Sequence, residues 1–299
     1  MKALVISNPV TGKADQQLLQ DSLNRLFAAA HIEYEIYETR KGDSVADIVR
    51  RRLPEGFGLV VASGGDGTVS EVGDGLAGTG IPLCIIPSGT GNLLAGELEI
   101  PVCLEEAVAI IAGVHRERKI DGMRIGKRIF FLNAGVGINA AVIGGTNRNS
   151  KKRFGRIAYV GSTMAKMLIS KPRHLTIEVD GKAQPYHAVN VTIMNCRIIG
   201  KQLYPGDPDI RIDDGHLGVG ILSMKKICRS SWYVIKVLLS WIVTPVTDFI
   251  NVNKTVDIRS SVPMQVQADG DIIGTTPVHV EVLPGVLIVL VPRQQKDAP

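Results

Sequence analysis

Short apolar runs, each followed by a glycine-rich or polar turn and then by apolar residues at helical spacing, set the rhythm of the first part of the chain. Ala3 to Ile6 reads as a buried strand. Gln16 to Ala29 places Leu18, Leu19, Leu23, Leu26 and Phe27 on one face of a helix. Tyr34 to Tyr37 predicts a strand and Ser44 to Arg51 a helix. Gly58 to Ala62 predicts a strand, followed by a helix through Val72 and Leu76, a strand over Pro82 to Ile86, and a helix over Cys103 to Ala112. Repeated β-α-β units predict a doubly wound parallel sheet, with ligands beyond the carboxyl ends of its strands.

After about Asp121 the pattern shortens to strands. Arg128 to Leu132, Leu175 to Val179, Ala188 to Met194, Leu217 to Leu222, Thr255 to Ile258, Met264 to Ala268 and Val278 to Val282 all fit. Asp180-Gly181 marks a hairpin between two of them. Two helical stretches interrupt the strands, Arg156 to Ile169 and Ile227 to Ile250, and Gly144 to Gly155 reads as an exposed basic loop. The fold expected is α/β: an N-terminal doubly wound nucleotide-binding domain plus a second, β-rich antiparallel domain. Residues 1–125 form the first and 126–286 the second; Leu287 to Val291 fits either, so 287–299 can complete the first.

The candidate chemistry lies in two turns, Gly64-Gly65-Asp66-Gly67-Thr68 and Pro87-Ser88-Gly89-Thr90-Gly91-Asn92, each following a predicted strand. Glycine lets backbone approach a ligand with no Cβ in the way, and successive N–H groups can converge on an anion. The aspartate adds a carboxylate for Mg2+ or ribose and the threonine a hydroxyl for phosphate. Two such turns at strand ends predict a nucleotide triphosphate site. The net charge of +5 favours an anionic partner. Aromatics make up only 5%, with no aromatic-plus-basic pattern for base stacking, which argues against nucleic acid. Cys84, Cys103, Cys196 and Cys228 lie far apart without ligand spacing, so reduced thiols are expected rather than zinc. The first residues read as a strand, not a signal peptide, and the expected location is the cytoplasm. Gly12-Lys13 lacks the rest of a P-loop, and Gly135 to Ala140 matches a dinucleotide fingerprint only loosely.

The chain resembles the diacylglycerol kinase catalytic family, which includes bacterial lipid kinases and sphingosine kinases. The resemblance starts at Asn8-Pro9 and Gly12, and continues through Thr39, both glycine turns and Lys119-Ile120-Asp121. It runs on through Phe131 to Gly137, Gly155 to Tyr159 and Asp213-Asp214-Gly215, and closes at Asp269-Gly270-Asp271 and Thr276-Pro277. It implies a first domain that binds ATP and Mg2+ and a second that helps to hold a lipid. By resemblance, Asn8, Thr39, Gly64, Gly65, Asp66, Gly67, Thr68, Val69, Ser70, Gly89, Thr90 and Asn92 contact the nucleotide. Asp66 is the acid acting on Mg2+, and Asp121 supports the metal-water network. Asp271 is the general base, at a place where the family usually has glutamate. Asp214, with backbone carbonyls at Arg211 and His216, matches a second, structural metal site. The second turn departs from the family's Gly-Thr-x-Asn-Asp: Leu93 follows Asn92.

Ile227 to Ile250 carries two tryptophans behind the basic residues Lys225, Lys226 and Arg229. It fits an interfacial membrane contact or a buried helix better than a transmembrane span. The expected function is an ATP- and Mg2+-dependent lipid kinase acting at a membrane surface, with diacylglycerol as acceptor. The alternatives are an NAD kinase-like enzyme with a soluble substrate and a non-catalytic lipid- or nucleotide-binding module.

Overall fold

The computed structural model describes residues 1–9, 13–113, 115–137, 172–196, 198–199, 202–203, 210–223 and 248–293. The chain divides into two compact units, Met1–Gly122 with Pro284–Pro299, and Met123–Leu283.

In the first unit, strands β1 (Lys2–Ser7), β2 (Glu33–Glu38), β3 (Leu59–Gly64) and β4 (Leu83–Pro87) alternate with helices α1 (Lys13–Ala29), α2 (Val45–Arg52) and α3 (Asp66–Leu76). Two further helices follow, α4 (Leu93–Glu97) and α5 (Leu104–Ala112). The strands are parallel in the order β2-β1-β3-β4. β1, β3 and β4 are buried along their whole length apart from Lys2, as strands covered on both faces must be. One face packs Ala3, Val5, Leu59, Val61 and Ile86 against Leu19, Leu23 and Phe27 of α1 and Val108 and Ile111 of α5. α2 and α3 pack against each other.

The second unit is built of strands. They are β5 (His115–Ile125), which begins in the first unit, β6 (Arg128–Phe130), β7 (Asn133–Gly137), β8 (Arg173–Val179), β9 (Lys182–Ala188), β10 (Asn190–Met194), β11 (Ile198–Ile199) and β12 (Gln202–Leu203). There follow β13 (Leu217–Leu222), β14 (Asp248–Val252), β15 (Thr255–Ser260), β16 (Gln265–Ala268), β17 (Asp271–Thr275) and β18 (Val278–Pro292). One antiparallel sheet runs β14-β13-β10-β7-β16-β17. β8, β9, β15 and the first part of β18 pair in a second antiparallel layer. Leu175, Ile177, Val256, Ile258 and Val280 of that layer share a core with Val136, Val191, Ile193, Val219 and Val266 of the first. This is a β-sandwich.

The predicted helices and strands of the first unit are present, and the predicted strands of the second form with changed bounds. Arg128 to Leu132 stops at Phe130, because Phe131 and Leu132 form a bend. Ala188 to Met194 is two strands meeting at Val189. Val278 to Val282 and Leu287 to Val291 are one strand, β18, whose later part pairs with β4 in the first unit. The helix expected to reach Ile250 is corrected at its end: Asp248, Phe249 and Ile250 pair with β13 as strand, and 224–247 lies outside the described residues. Residues 144–155 and 156–169 also lie outside them. Among the described residues no helix is long and apolar enough to cross a membrane. Cys84 and Cys196 are buried thiols, but Cys103 is exposed.

At the α2–α3 contact, a Cβ on Gly75 would lie 2.8 Å from Val49 Cβ and 2.9 Å from the Ala46 carbonyl oxygen. Alanine normally stabilises a helix interior over glycine by about 1 kcal/mol. Overpacking costs about 1–3 kcal/mol and should win here. Gly75→Ala is expected to lower the urea midpoint; an unchanged or higher midpoint would show that the helices move apart freely.

The Asp180-Gly181 turn joins β8 and β9, with φ of 50° and 82° at its two central residues. The Asp180 carboxylate accepts backbone N–H groups from Asn253, Lys254 and Thr255 at 3.0, 2.8 and 3.0 Å. Partial burial pushes this carboxyl up, but the donors outweigh it and bring it down to about 2. A folded pKa below the unfolded value means stabilisation that is complete above about pH 4–5 and lost as the pH falls through about 2. Asp180→Ala should therefore be less stable than wild type at neutral pH, with the gap closing in urea titrations carried from about pH 5 down to about pH 2.

Candidate functional site

The carboxyl ends of β1, β2, β3 and β4 lie side by side, and the predicted nucleotide contacts of the first unit follow directly from them. Asn8 lies just after β1 and Thr39 just after β2. The Thr39 N–H donates to the Ser7 carbonyl at 2.9 Å, and the Asn8 N–H to the Ser63 carbonyl at 3.0 Å. Asn8 Nδ2 donates to Thr68 Oγ1 at 3.2 Å. Gly64 ends β3, Gly65 caps α3, and Asp66 to Ser70 form its first turns. Thr68, Val69 and Ser70 are buried. A cavity of about 260 Å³ opens at the same strand ends, between Ser7, Ser63 and Ser88.

The two glycine turns touch. A Cβ on Gly89 would meet Gly65 Cα at 2.5 Å, and a Cβ on Gly64 would meet Thr68 Cβ at 2.6 Å. At Gly91 it would meet Asp66 Oδ2 at 2.6 Å. Gly89 is therefore required by backbone packing of one turn on the other, Gly64 by contact with Thr68 inside its own turn, and Gly91 by the Asp66 carboxylate beside it. Gly67 is different: a Cβ there would meet nothing within 4 Å. The second turn closes through Asn92, in the left-handed region at φ 51°. Its Oδ1 accepts the Gly89 N–H and its Nδ2 donates to the Gly89 carbonyl, both at 2.9 Å. Asp66 ties the turns together. Its Oδ1 accepts the N–H of Leu93 at 2.6 Å and that of Leu94 at 3.4 Å, at the start of α4. Burial pushes the Asp66 carboxyl up, and the N–H groups of Leu93, Leu94 and Asn92 pull the other way. Leu93, which departs from the family's acid, thus contributes its backbone.

Asp121 is buried in β5, and its Oδ1 accepts the Gly285 N–H from β18 at 2.7 Å. This bond satisfies the Gly285 N–H within β18, which also pairs with β5.

In the second unit, Asp269-Gly270 is a second Asp-Gly hairpin, with φ of 46° and 95°. The Asp269 carboxylate accepts three successive N–H groups: Phe131 at 2.9 Å, Leu132 at 3.0 Å and Asn133 at 3.0 Å. Gln267 Nε2 donates to Asn133 Oδ1 at 3.0 Å, and Gly270 N–H to Gln267 Oε1 at 3.2 Å. The Phe131-Leu132-Asn133 and Asp269-Gly270-Asp271 motifs are thus one unit. Asp271 opens β17 with its side chain 57% exposed, and lies 3.5 Å from Arg128. Sequence reasoning did not give Asp269, Gln267 or Arg128 a role. The signal for Asp269 was present, since an aspartate before glycine in a tight hairpin takes positive φ.

Asp214 closes its own turn before β13. Its carboxylate accepts the N–H groups of Arg211 at 2.9 Å and His216 at 3.0 Å. β10, β7 and β16 lie between β13 and β17, so this turn stands about 19 Å across the sheet from Asp271 at ~4.8 Å per strand. Among the described residues no group of three His, Cys, Asp or Glu side chains forms a metal cluster.

A parallel α/β unit with two apposed glycine turns is joined to an antiparallel β-sandwich. Residues 2–125 match the diacylglycerol kinase catalytic domain, and residues 133–291 match the YegS C-terminal NAD kinase beta sandwich-like domain. The chain belongs to the diacylglycerol kinase-like family that these two domains define. An uncharacterised protein of Synechocystis sp. is 29% identical, covering 96% of this chain and 70% of its own length. A diacylglycerol kinase of Staphylococcus haemolyticus is 28% identical, covering 93% and 84%. A diacylglycerol kinase structure from Bacillus anthracis superposes with a TM-score of 0.77 at 25% identity, covering 97% of this chain and 96% of that one.

The glycines separate by experiment. Gly89→Ala must push Gly65 away and should cost about 1–3 kcal/mol in denaturant unfolding. Gly67→Ala should stay within about 1 kcal/mol of wild type. Equal losses at both positions would contradict the loop-on-loop packing.

Proposed function

We propose that the protein is an ATP- and Mg2+-dependent lipid kinase that phosphorylates a hydroxyl of a membrane lipid, with diacylglycerol as acceptor and phosphatidic acid as product. The observation that carries this reading is the pair of apposed glycine turns, which leaves open space at Gly67 beside the first turn of α3. Backbone N–H groups in such turns suit phosphate oxygens, and a Cβ at position 67 would enter the space that a phosphate takes. Asn8, Thr39, Gly64 to Ser70, Gly89, Thr90 and Asn92 are the nucleotide contacts in this reading. Val69 and Ser70, being buried, contribute backbone.

Asp66 would hold Mg2+, with Asp121 supporting it. A carboxylate has about four acceptor sites, so the N–H bonds each already accepts do not exhaust it. A second ion would be held by Asp214 and the carbonyls of Arg211 and His216, an oxygen-only donor set of the kind that hard cations take. Bound Mg2+ supplies neutralisation of phosphate charge.

Asp271 accepts the proton of the acceptor hydroxyl. The alcohol oxygen bonds to the γ-phosphorus as the bond from phosphorus to the departing ADP oxygen breaks, and Asp271 releases its proton to water. Aspartate here is one methylene shorter than the family's usual glutamate and sits at the tip of a hairpin pinned by Asp269.

Transfer of labelled γ-phosphate from ATP to dioleoylglycerol in mixed micelles, with NAD as soluble control, tests the reading. Asp66→Ala and Asp271→Ala should each abolish transfer while the protein stays folded by circular dichroism. Wild-type turnover in folded Asp271→Ala would refute the base, and labelled NADP without labelled lipid would refute the acceptor class. Gly67→Ala should weaken ATP binding at least tenfold in calorimetry while the protein stays folded; unchanged affinity would put the phosphates elsewhere.

A further inference from the structure

Arg128 begins β6, directly after the Gly126-Lys127 turn that joins it to β5. Its guanidinium lies 4.7 Å from the centre of the Phe130 ring. Phe130 is buried, so the ring is a fixed platform. Residues 128 and 130 share a face of the strand, and this stacking aims the guanidinium along that face. From there Nη2 reaches Asp271 Oδ2 at 3.5 Å, with the two side chains 39% and 57% exposed.

That distance is an ion pair too long for a hydrogen bond. An exposed pair of this kind contributes little to stability. The neighbouring Arg124 differs: its Nη1 donates to Glu281 Oε2 at 2.8 Å. Arg128 is thus a cation held in place by an aromatic ring, loosely paired with the acid that takes the acceptor's proton, and open to solvent. A planar guanidinium suits phosphate oxygens in a fork that no other side chain offers.

We propose that Arg128 is a catalytic residue: it binds the oxygens of the phosphoryl group arriving at the acceptor hydroxyl, and neutralises the charge that develops there while Asp271 takes the proton. The proposal rests on the reading of Asp271 as base. A positioned cation of this kind acts on the transition state, so its loss falls on kcat more than on the lipid KM.

The test uses the full chain with ATP and Mg2+ and a panel of lipid alcohols in mixed micelles: dioleoylglycerol, undecaprenol and sphingosine. It is read on the acceptor that wild type phosphorylates fastest. Arg128→Ala should lower kcat about ten- to a hundredfold with the lipid KM within about twofold. Added ethylguanidinium should restore part of the rate to Arg128→Ala and none to Asp271→Ala, and Arg128→Lys should keep more activity than Arg128→Ala. A purely structural role would not respond to free guanidinium. Wild-type kcat in Arg128→Ala, alongside inactive Asp271→Ala, would overturn the role of Arg128 alone. Wild-type kcat in both variants, or no phosphorylated lipid from wild type, would overturn the assignment of Asp271 as well.

Discussion

The close approach of two glycine turns governs the first unit. Gly65 and Gly89 meet backbone to backbone, at a separation that leaves no room for a Cβ on Gly89. The Asp66 carboxylate then bridges from the start of α3 to the start of α4. Strand order follows from the same constraint: β3 and β4 must be parallel neighbours for both turns to leave one edge of the sheet together. Asn8 and Thr39 join them because β1 and β2 continue that parallel run. Glycine permits close packing at 64, 65, 89 and 91, whereas a Cβ at 67 would meet nothing within 4 Å.

Aspartate has one recurring task across the molecule. Asp66, Asp180, Asp214 and Asp269 each accept two or three backbone N–H groups from a nearby turn or helix start. Turns leave backbone donors without ladder partners, and a short carboxylate satisfies several at once. The comparison of two hairpins isolates the feature particular to Asp271. Asp180-Gly181-Lys182 and Asp269-Gly270-Asp271 have the same backbone and the same triple capture by their first residue. They differ at the third position, lysine in one and aspartate in the other. The first aspartate of each therefore explains the turn, and only the residue after the second glycine is an exposed acid.

Strands with dense local alternation, such as Leu175 to Val179 and Leu217 to Leu222, were legible in the sequence because every residue reported its face. Those that were missed take their form from partners. β9 is polar, with Pro185 in an edge strand. β5 begins with the charged run His115 to Lys119. β7 is the glycine-containing Asn133–Gly137, read as a motif rather than as a strand. β17 hides behind a turn signal. β18 looked like two strands because Pro284-Gly285 punctuates it; the Asp121 carboxylate, far away in sequence, accepts the Gly285 N–H, and β15, β5 and β4 pair with the strand. The candidate site divides in the same way. Its glycine turns follow strands and were visible locally, whereas the bonds of Asp269 to residues 131–133 and the pairing of Arg128 with Asp271 depend on long-range register.

The central claim is that the apposed turns form the phosphate-binding site. Hydrogen exchange of the full chain with and without ATP and Mg2+ measures this most directly. Slower exchange on nucleotide addition in peptides spanning Gly64 to Ser70 and Ser88 to Leu94, lost in Gly67→Ala, is the result predicted. Unchanged exchange in both segments at saturating ATP, or slowing confined to other parts of the chain, would contradict it.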